Sequence, residues 1–328
     1  MAELQARPAA ALSIVKNKLL SVFSRQNWKK FSLPLFAAAI IIWALIPGIR
    51  AIRLVANIPR QVAPAAAANI PLQAVHFTAT DGVRLAGWLA IASPRAPTII
   101  LVPGTRGTHV DMYPWADFLY QGGYNIFLFD DRGTGQSNGW NITLGAKEPN
   151  DVLGAVRYLQ SRSDLPVHSY GALGVSIGAG VVILAAAREP LLKAIIADSA
   201  WTDQSLQIAR MNTLRLIGPL SLPLLPYELP LINTLIGVPL QNVRPIDAIA
   251  RLSPCAVLLI HSADDQNTLT PLSGERQLFA AAQAPKAQWI APHGGHVGAL
   301  RAYPAAYQQQ VLSFLAAYLP LSNTKSAG

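Results

Sequence analysis

Between Thr98 and Ala291 the chain alternates short apolar runs with longer helical stretches, and this rhythm restricts the fold more than any other feature of the sequence. The runs are Thr98 to Val102, Asn125 to Asp130, Ala172 to Val175, Ala194 to Asp198, Ala256 to His261 and Ala287 to Ala291. Strands that are apolar along their whole length are buried on both faces, so they predict a mostly parallel sheet with helices on either side. Two further β-patterned runs, Ala74 to Thr80 and Val83 to Ile91, flank Asp81-Gly82. That dipeptide is a strong hairpin signal, and it places an antiparallel pair at the start of the sheet. From Trp201 to Pro254 the rhythm stops: no strand is read there, and five prolines from Pro219 to Pro239 punctuate a leucine-rich stretch. This interval reads as a helical lid. Its leucines either pack the lid on the core, the commoner fate of apolar helical residues, or form an acyl pocket or a membrane-facing surface.

Charge is unevenly placed. The net charge of +9 is concentrated in residues 1–60, with nine Lys or Arg and one acid, leaving 17 basic and 16 acidic residues downstream. No basic stripe crosses the folded region, which argues against a nucleic-acid partner. The excess instead brackets Phe31 to Ile49, nineteen residues without a charge, about the length of a bilayer-spanning helix. A cleaved signal peptide would have a shorter apolar core with a small-residue site close behind it, and Ala63 to Ala68 lies too far downstream. A buried or surface-lying helix containing Pro34 and Pro47 is the other reading; an uncleaved anchor is favoured. Five basic residues in the twenty before the segment against three in the twenty after it put the N-terminus in the cytoplasm and the rest of the chain on the opposite side. Cys255 is the sole cysteine, so neither an intramolecular disulfide nor a thiolate zinc cluster is available.

The chain thus divides into a basic tail (1–30), a transmembrane helix (31–49), a juxtamembrane linker (50–71), a core in two parts (72–200 and 255–320) around the lid (201–254), and a C-terminal tail (321–328).

Gly174-Val175-Ser176-Ile177-Gly178 lies where an apolar strand gives way to a helical run. Gly-x-Ser-x-Gly in this setting is a nucleophile elbow, with small residues flanking a serine held on a strained turn. A serine hydroxyl is a poor nucleophile at neutral pH and needs a base, and the base needs a carboxylate to orient it. In such sheets the order is Ser, then acid, then His, each after a later strand. The run Ala256 to His261 ends in Ser262-Ala263-Asp264-Asp265, and the run ending at Ala291 leads into Pro292-His293-Gly294-Gly295-His296.

With Val102-Pro103-Gly104-Thr105-Arg106-Gly107 after the third strand and Asp130-Asp131-Arg132-Gly133-Thr134-Gly135-Gln136-Ser137 after the fourth, these motifs resemble the α/β-hydrolase superfamily from about Ala74 to Leu319. The branch it is similar to is serine aminopeptidase-like and lysophospholipase-like. The family's His-Gly-x-x-Asp pattern implies Asp265 rather than Asp264 as the acid, with Ser262 standing where the family has glycine; its Gly-x-His form implies His296 rather than His293. The resemblance further implies an oxyanion hole from the amides of Ile177 and Thr105, although Pro103-Gly104 replaces the usual His-Gly. Asp130 and Arg132 are expected to fix their turn beneath the site, His76 and His168 to be structural or exposed, and His109 to lie at the surface near the entrance.

The expectation is therefore an α/β-hydrolase fold preceded by one transmembrane helix, acting as a membrane-anchored serine hydrolase on carboxylic esters or thioesters, with acyl-lipids or lysolipids as attractive substrates. No metal or organic cofactor is required. A serine aminopeptidase is the nearest alternative, with Glu228 as the acid to hold an amino group; a catalytically silent interaction protein on the same fold is the alternative of another class.

Overall fold

A computed structural model describes residues 25–56, 69–166, 169–210, 213–215 and 221–321. The far N-terminal tail, most of the expected linker, His168 and residues 322–328 lie outside the described residues.

The first element is α1 (Arg25–Val55), which contains Pro34 and Pro47. Then come β1 (Gln73–Thr78), β2 (Arg84–Ala90), β3 (Thr98–Val102), α2 (Tyr113–Gln121), β4 (Asn125–Phe129), α3 (Pro149–Gln160), β5 (Tyr170–Val175), α4 (Ile177–Ala186), β6 (Leu192–Asp198) and α5 (Gln204–Arg210). A ribbon of β7 (Thr213–Arg215) and β8 (Ser221–Pro223) follows, then α6 (Glu228–Ile236), α7 (Pro245–Ile249), β9 (Ala256–Ser262), α8 (Leu272–Ala281), β10 (Lys286–Ala291), α9 (Ala299–Ala302) and α10 (Pro304–Tyr318). Eight strands form one sheet in the order β1-β2-β4-β3-β5-β6-β9-β10. β2 is antiparallel to β1 and β4, and all other pairs are parallel.

The sheet is buried on both faces because its central strands present apolar side chains to both. One face packs Ile100, Phe127, Ala172 and Val257 against Val152 of α3, Val181 of α4 and Leu278 of α8. The other packs Leu101, Leu128, Leu173 and Leu258 against Leu119 of α2 and Val311 of α10. All five residues of β3 and β4, and all six of β5, are buried. That is the continuous apolar pattern read from the sequence.

The chain separates into two compact units: residues 1–50 with 212–227, and residues 51–211 with 228–328. In the first, α1 exposes Leu33, Leu35, Phe36, Ile40, Ile41, Ile42, Leu45 and Ile49. The stretch Ser32–Val55 is long and apolar enough to cross a membrane, with a mean hydropathy of 2.2, a test that a signal sequence also passes. Pro47 has no N–H, so the helix loses a bond where it sits. Tyr227 sits at the next bond along: its hydroxyl donates to Ala44 O and accepts from Gly48 N–H at 3.1 Å, the two groups that an unbroken helix would join to each other. Trp43 Nε1 donates to Pro223 O at 3.0 Å, tying β8 to the same turn.

Two expectations change. The interval Trp201 to Pro254 does contain strands, the antiparallel pair β7 and β8. Each spans three residues, too short to show a period-2 pattern, and Pro223 closes β8 where a proline is tolerated because the ribbon has no third strand to bond. The helix also does not stop at Ile49. It runs through the first turn of the expected linker to Val55, and Ala51 and Val55 are fully buried in the second unit among Ile142, Leu144, Trp201 and Ile236. An Ala56–Asn141 bridge and the bond from Ile142 N–H to Val55 O (3.1 Å) fix this turn. The lid leucines divide: Leu224 is buried, Leu229, Leu231 and Leu235 are half-buried against the cluster around Trp201, and Leu222 is exposed.

Candidate active site

Ser176 sits between β5 and α4 with φ 55° and ψ −116°, a conformation that non-glycine residues rarely adopt. The flanking glycines allow it. A Cβ on Gly174 would lie 2.2 Å from Gly178 O, and one on Gly178 would lie 2.5 Å from both Val102 O and Pro103 O. Neither position can hold any other residue without moving backbone. Ser176 N–H donates to Asp198 O at 2.9 Å, holding the turn against the end of β6.

Ser176 Oγ lies 2.9 Å from His296 Nε2, and His296 Nδ1 lies 2.9 Å from Asp265 Oδ2. Thr270 Oγ1 is also 3.1 Å from Nδ1. Asp265 Oδ1 accepts from Asn267 N–H at 2.8 Å. Burial works against the charge of Asp265, yet the contacts from His261 and His296 and the Asn267 amide outweigh it and hold the carboxyl well below the usual range. With Asp265 ionised, His296 carries its proton on Nδ1 and presents a lone pair to the serine hydroxyl. Such an arrangement can take the proton of Ser176 as its oxygen attacks a carbonyl.

The remaining candidates separate clearly. Asp264 is exposed and accepts from Gly295 N–H at 2.9 Å, shaping the loop rather than meeting His296. His293 is exposed, beside the Tyr303 ring. Asp130 is buried and accepts from Gln136 N–H at 2.8 Å and from His109 N–H at 2.9 Å. Arg132 is buried between Asp151 and Asp81. His76 is exposed. His109 is not at the surface: it is buried, its Nδ1 lies 2.8 Å from Asp130 Oδ1, and its ring stacks on Trp88 at 3.4 Å. Its position at the end of a loop gave no sign of these two partners.

Thr105 and Ile177 flank the serine. Ile177 is the first residue of α4, so its N–H has no acceptor in the helix. Thr105 lines the cleft, and the preceding Gly104 approaches so closely that a Cβ there would lie 3.6 Å from Ser176 Cβ. Arg106 has φ 61° and turns its guanidinium onto the end of α1, donating to Arg53 O and, at 3.2 Å, to Ala56 O. A cation on the terminal carbonyls of a helix is favourably placed.

The cleft measures about 470 Å³, and its lining joins Trp115, Val175 and Val297 to Thr105, Asp111 and Asn267 around Ser176 and His296. Among the described residues neither a lid leucine nor Glu228 is in that lining; Glu228 is buried at the start of α6. Asp111 Oδ2 accepts from Thr108 N–H at 2.7 Å. Beneath the cleft runs a buried chain: Trp115 Nε1–H donates to Tyr307 OH (2.9 Å), and Tyr307 OH donates to Asp198 Oδ2 (2.9 Å). Ser199 Oγ donates to Asp198 Oδ1 and accepts from Val297 N–H. Burial pushes the Asp198 carboxyl up to about 6 against the pull of Tyr307 and Ser199. Thr270, Trp115, Asp111 and Tyr307 carried no motif; Asp198 had a signal in its position at a strand's end.

Among the described residues no group of three or more His, Cys, Asp or Glu side chains could hold a metal ion.

Residues 68–216 match the family of X-Pro dipeptidyl-peptidases (S15 family). The uncharacterized protein YfhR of Escherichia coli O157:H7 is 27% identical over 260 residues, covering 76% of this chain and 83% of that one. The Pyrococcus furiosus esterase Pf2001 superposes with a TM-score of 0.65 at 22% identity, over 79% of this chain and 98% of that one. The α/β hydrolase GrgF from Penicillium sp. sh18 does so with a TM-score of 0.60 at 21% identity, over 76% and 99%. At these identities the structural likeness is one of fold.

Proposed function

We propose that this chain, which has the α/β-hydrolase fold, is a serine hydrolase of that superfamily in which Ser176, His296 and Asp265 form the catalytic triad and the substrate is a carboxylic ester or thioester. The observation that carries this reading is the unbroken contact chain from Ser176 Oγ through His296 to Asp265, set on a strained elbow. Ser176 Oγ attacks the carbonyl carbon while His296 Nε2 takes its proton. The negative charge on the carbonyl oxygen is met by the Ile177 and Thr105 amides. His296 then protonates the departing alcohol or thiol; a water molecule, deprotonated by the same nitrogen, attacks the acyl carbon, and the bond to Ser176 Oγ breaks as His296 returns that proton to Oγ, releasing the acid. Asp265 stays ionised throughout and stabilises the imidazolium.

The half-polar lining favours a short acyl group with a polar substituent over a long alkyl chain, which would desolvate Asp111 and Asn267 and offer them no hydrogen bond in exchange for water. The apolar segment 31–49, in which Leu33, Phe36, Ile41, Leu45 and Ile49 are among the exposed side chains, is the membrane anchor, with the N-terminus cytoplasmic and the catalytic residues on the other side. A peptidase is the second reading, favoured by Asp111: a carboxylate in the cleft is what a free amino group would need, and it takes the place that the sequence had offered to Glu228.

An ester series graded by acyl length, run beside short peptides on the detergent-solubilised full chain, separates these readings. Acid release from short esters, falling with chain length, is the expected result. Amine release from peptides with esters untouched would replace the esterase reading with the peptidase one.

The loop that carries Thr105 has a specific dependence. Arg106 pins it to the last turn of α1, where the family's His-Gly pair is missing. Arg106→Ala is expected to lower kcat by about tenfold, part of the 10²–10³ that loss of an oxyanion donor costs, with KM nearly unchanged. Steady-state kinetics on one ester checks it; an unchanged kcat would remove Arg106 from the account.

A further inference from the structure

Asp265 is approached from two sides. His296 reaches its Oδ2 from the cleft, and from the interior Nε2 of His261 lies 3.3 Å from the same oxygen. His261 is fully buried on β9, four residues before Asp265. Its other nitrogen, Nδ1, lies 3.8 Å from Oε2 of Glu275, which is fully buried on α8. Neither ring nitrogen of His261 and neither carboxyl oxygen of Glu275 makes a hydrogen bond of full geometry to any other group among the described residues. The triad described above gives these two side chains no task.

We propose that Glu275 is held as a neutral acid whose O–H is directed at His261 Nδ1, so that His261 keeps its proton on Nε2 and turns it toward Asp265, making His261 and Glu275 positioning residues for the triad carboxylate. An isolated buried polar group is costly, and a half-satisfied cluster is worse than an apolar one. A row of neutral donors ending on a single carboxylate meets that constraint without burying a cation. The ionisable groups facing the pair are Asp265 on the loop after β9, Asp198 at the end of β6 and His296 on the loop after β10, and Gln288 faces Glu275 from β10. Burial, and then the charge of Asp198, push the Glu275 carboxyl well above its ordinary range against the pull of Gln288. With the proton on Oε2, the tautomer of His261 is no longer free: only Nε2 remains to carry its hydrogen.

Two arms on the full-length chain in detergent test this, and only the second rests on the serine-hydrolase reading. In the first, thermal unfolding of wild type and Glu275→Gln is followed from pH 5 to pH 9. A carboxyl whose folded pKa lies above its unfolded value costs stability as pH rises from the unfolded value toward the folded one, because the unfolded chain releases the proton first. Glutamine has no proton to release and still offers an N–H to Nδ1. The melting temperature of Glu275→Gln is therefore expected to gain on wild type as pH rises. A melting-temperature difference that stays constant, or moves against Glu275→Gln, as pH rises would show that Glu275 is already ionised in the folded protein, and the proposal fails; it fails too if Glu275→Gln does not fold, since the amide keeps the donor.

The second arm measures the rate of fluorophosphonate reaction against pH. Glu275→Gln is expected within about threefold of wild type, since the amide supplies the same donor. Folded Glu275→Leu and His261→Phe are expected at least about tenfold slower, the scale of cost for a misplaced catalytic group. Their acid limb should move to higher pH, because Asp265 then directs its whole charge at His296. A folded Glu275→Leu with wild-type rate and limb overturns the positioning role. If wild type itself does not react, the hydrolase reading is at fault and the thermal arm still decides the protonation of Glu275.

Discussion

Alanine at Ser176 is expected to lower turnover of any accepted ester by about 10⁵-fold or more, the scale seen when a triad nucleophile is removed. The effect on folding should be small. Among the described residues the Ser176 hydroxyl bonds only His296 Nε2, while the elbow is held by backbone, through the Ser176 amide on Asp198 O and the close approach of Gly174 to Gly178. Alanine meets the same cost at φ 55° as serine. The melting temperature should therefore stay close to wild type while kcat collapses. Ester turnover by purified Ser176→Ala above about one-hundredth of wild type would mean that another group starts the reaction.

Asp265→Asn is expected to lower kcat by about 10⁴-fold with the fold intact. Asp265 accepts from Asn267 N–H through Oδ1 and meets His296 Nδ1 through Oδ2. An asparagine keeps its oxygen on the Asn267 amide and turns its NH₂ toward Nδ1. His296 must then accept at Nδ1 and carry its proton on Nε2, facing the serine it should deprotonate. The pH dependence of stability changes as well. Asp265 has a folded pKa below its unfolded one, so its contribution is present above the unfolded value and is lost as pH falls through the folded value. Wild type should lose more melting temperature on acidification below about pH 4 than Asp265→Asn does. Asp264→Asn is the control: its carboxylate is exposed, and kcat should change little. A large fall there with Asp265→Asn still active would move the acid by one residue.

The sheet was legible because its strands are apolar on both faces. β3 has the bounds read from the sequence, Thr98 to Val102, and the other strands differ by at most two residues at either end. The elbow was legible for a steric reason: Gly174 and Gly178 stand where any side chain would strike backbone. The contacts of Ser176, His296 and Asp265 follow the chain order of the motif. What stayed hidden depends on contacts far apart in sequence. Nothing local marks the short ribbon β7–β8, the burial of His109 under Trp88, or the reach of Arg106 back to Arg53 and Ala56. The end of α1 was hidden because hydropathy falls at Arg50 and Arg53, while the helix continues by packing Ala51 and Val55 on Trp201 and Ile142. Asp111 was invisible as a cleft residue because its side chain bonds an amide three residues away, as an ordinary loop aspartate would.

The most direct test of the central claim is to treat the folded full-length protein with a fluorophosphonate and locate the adduct by peptide mass mapping, since such a reagent reports an activated serine whatever the substrate. The account predicts one adduct, on Ser176, and none on His296→Ala or Asp265→Asn at the same exposure. A folded wild-type protein that takes up no reagent, or carries it on another residue, would contradict the assignment of Ser176 as the nucleophile.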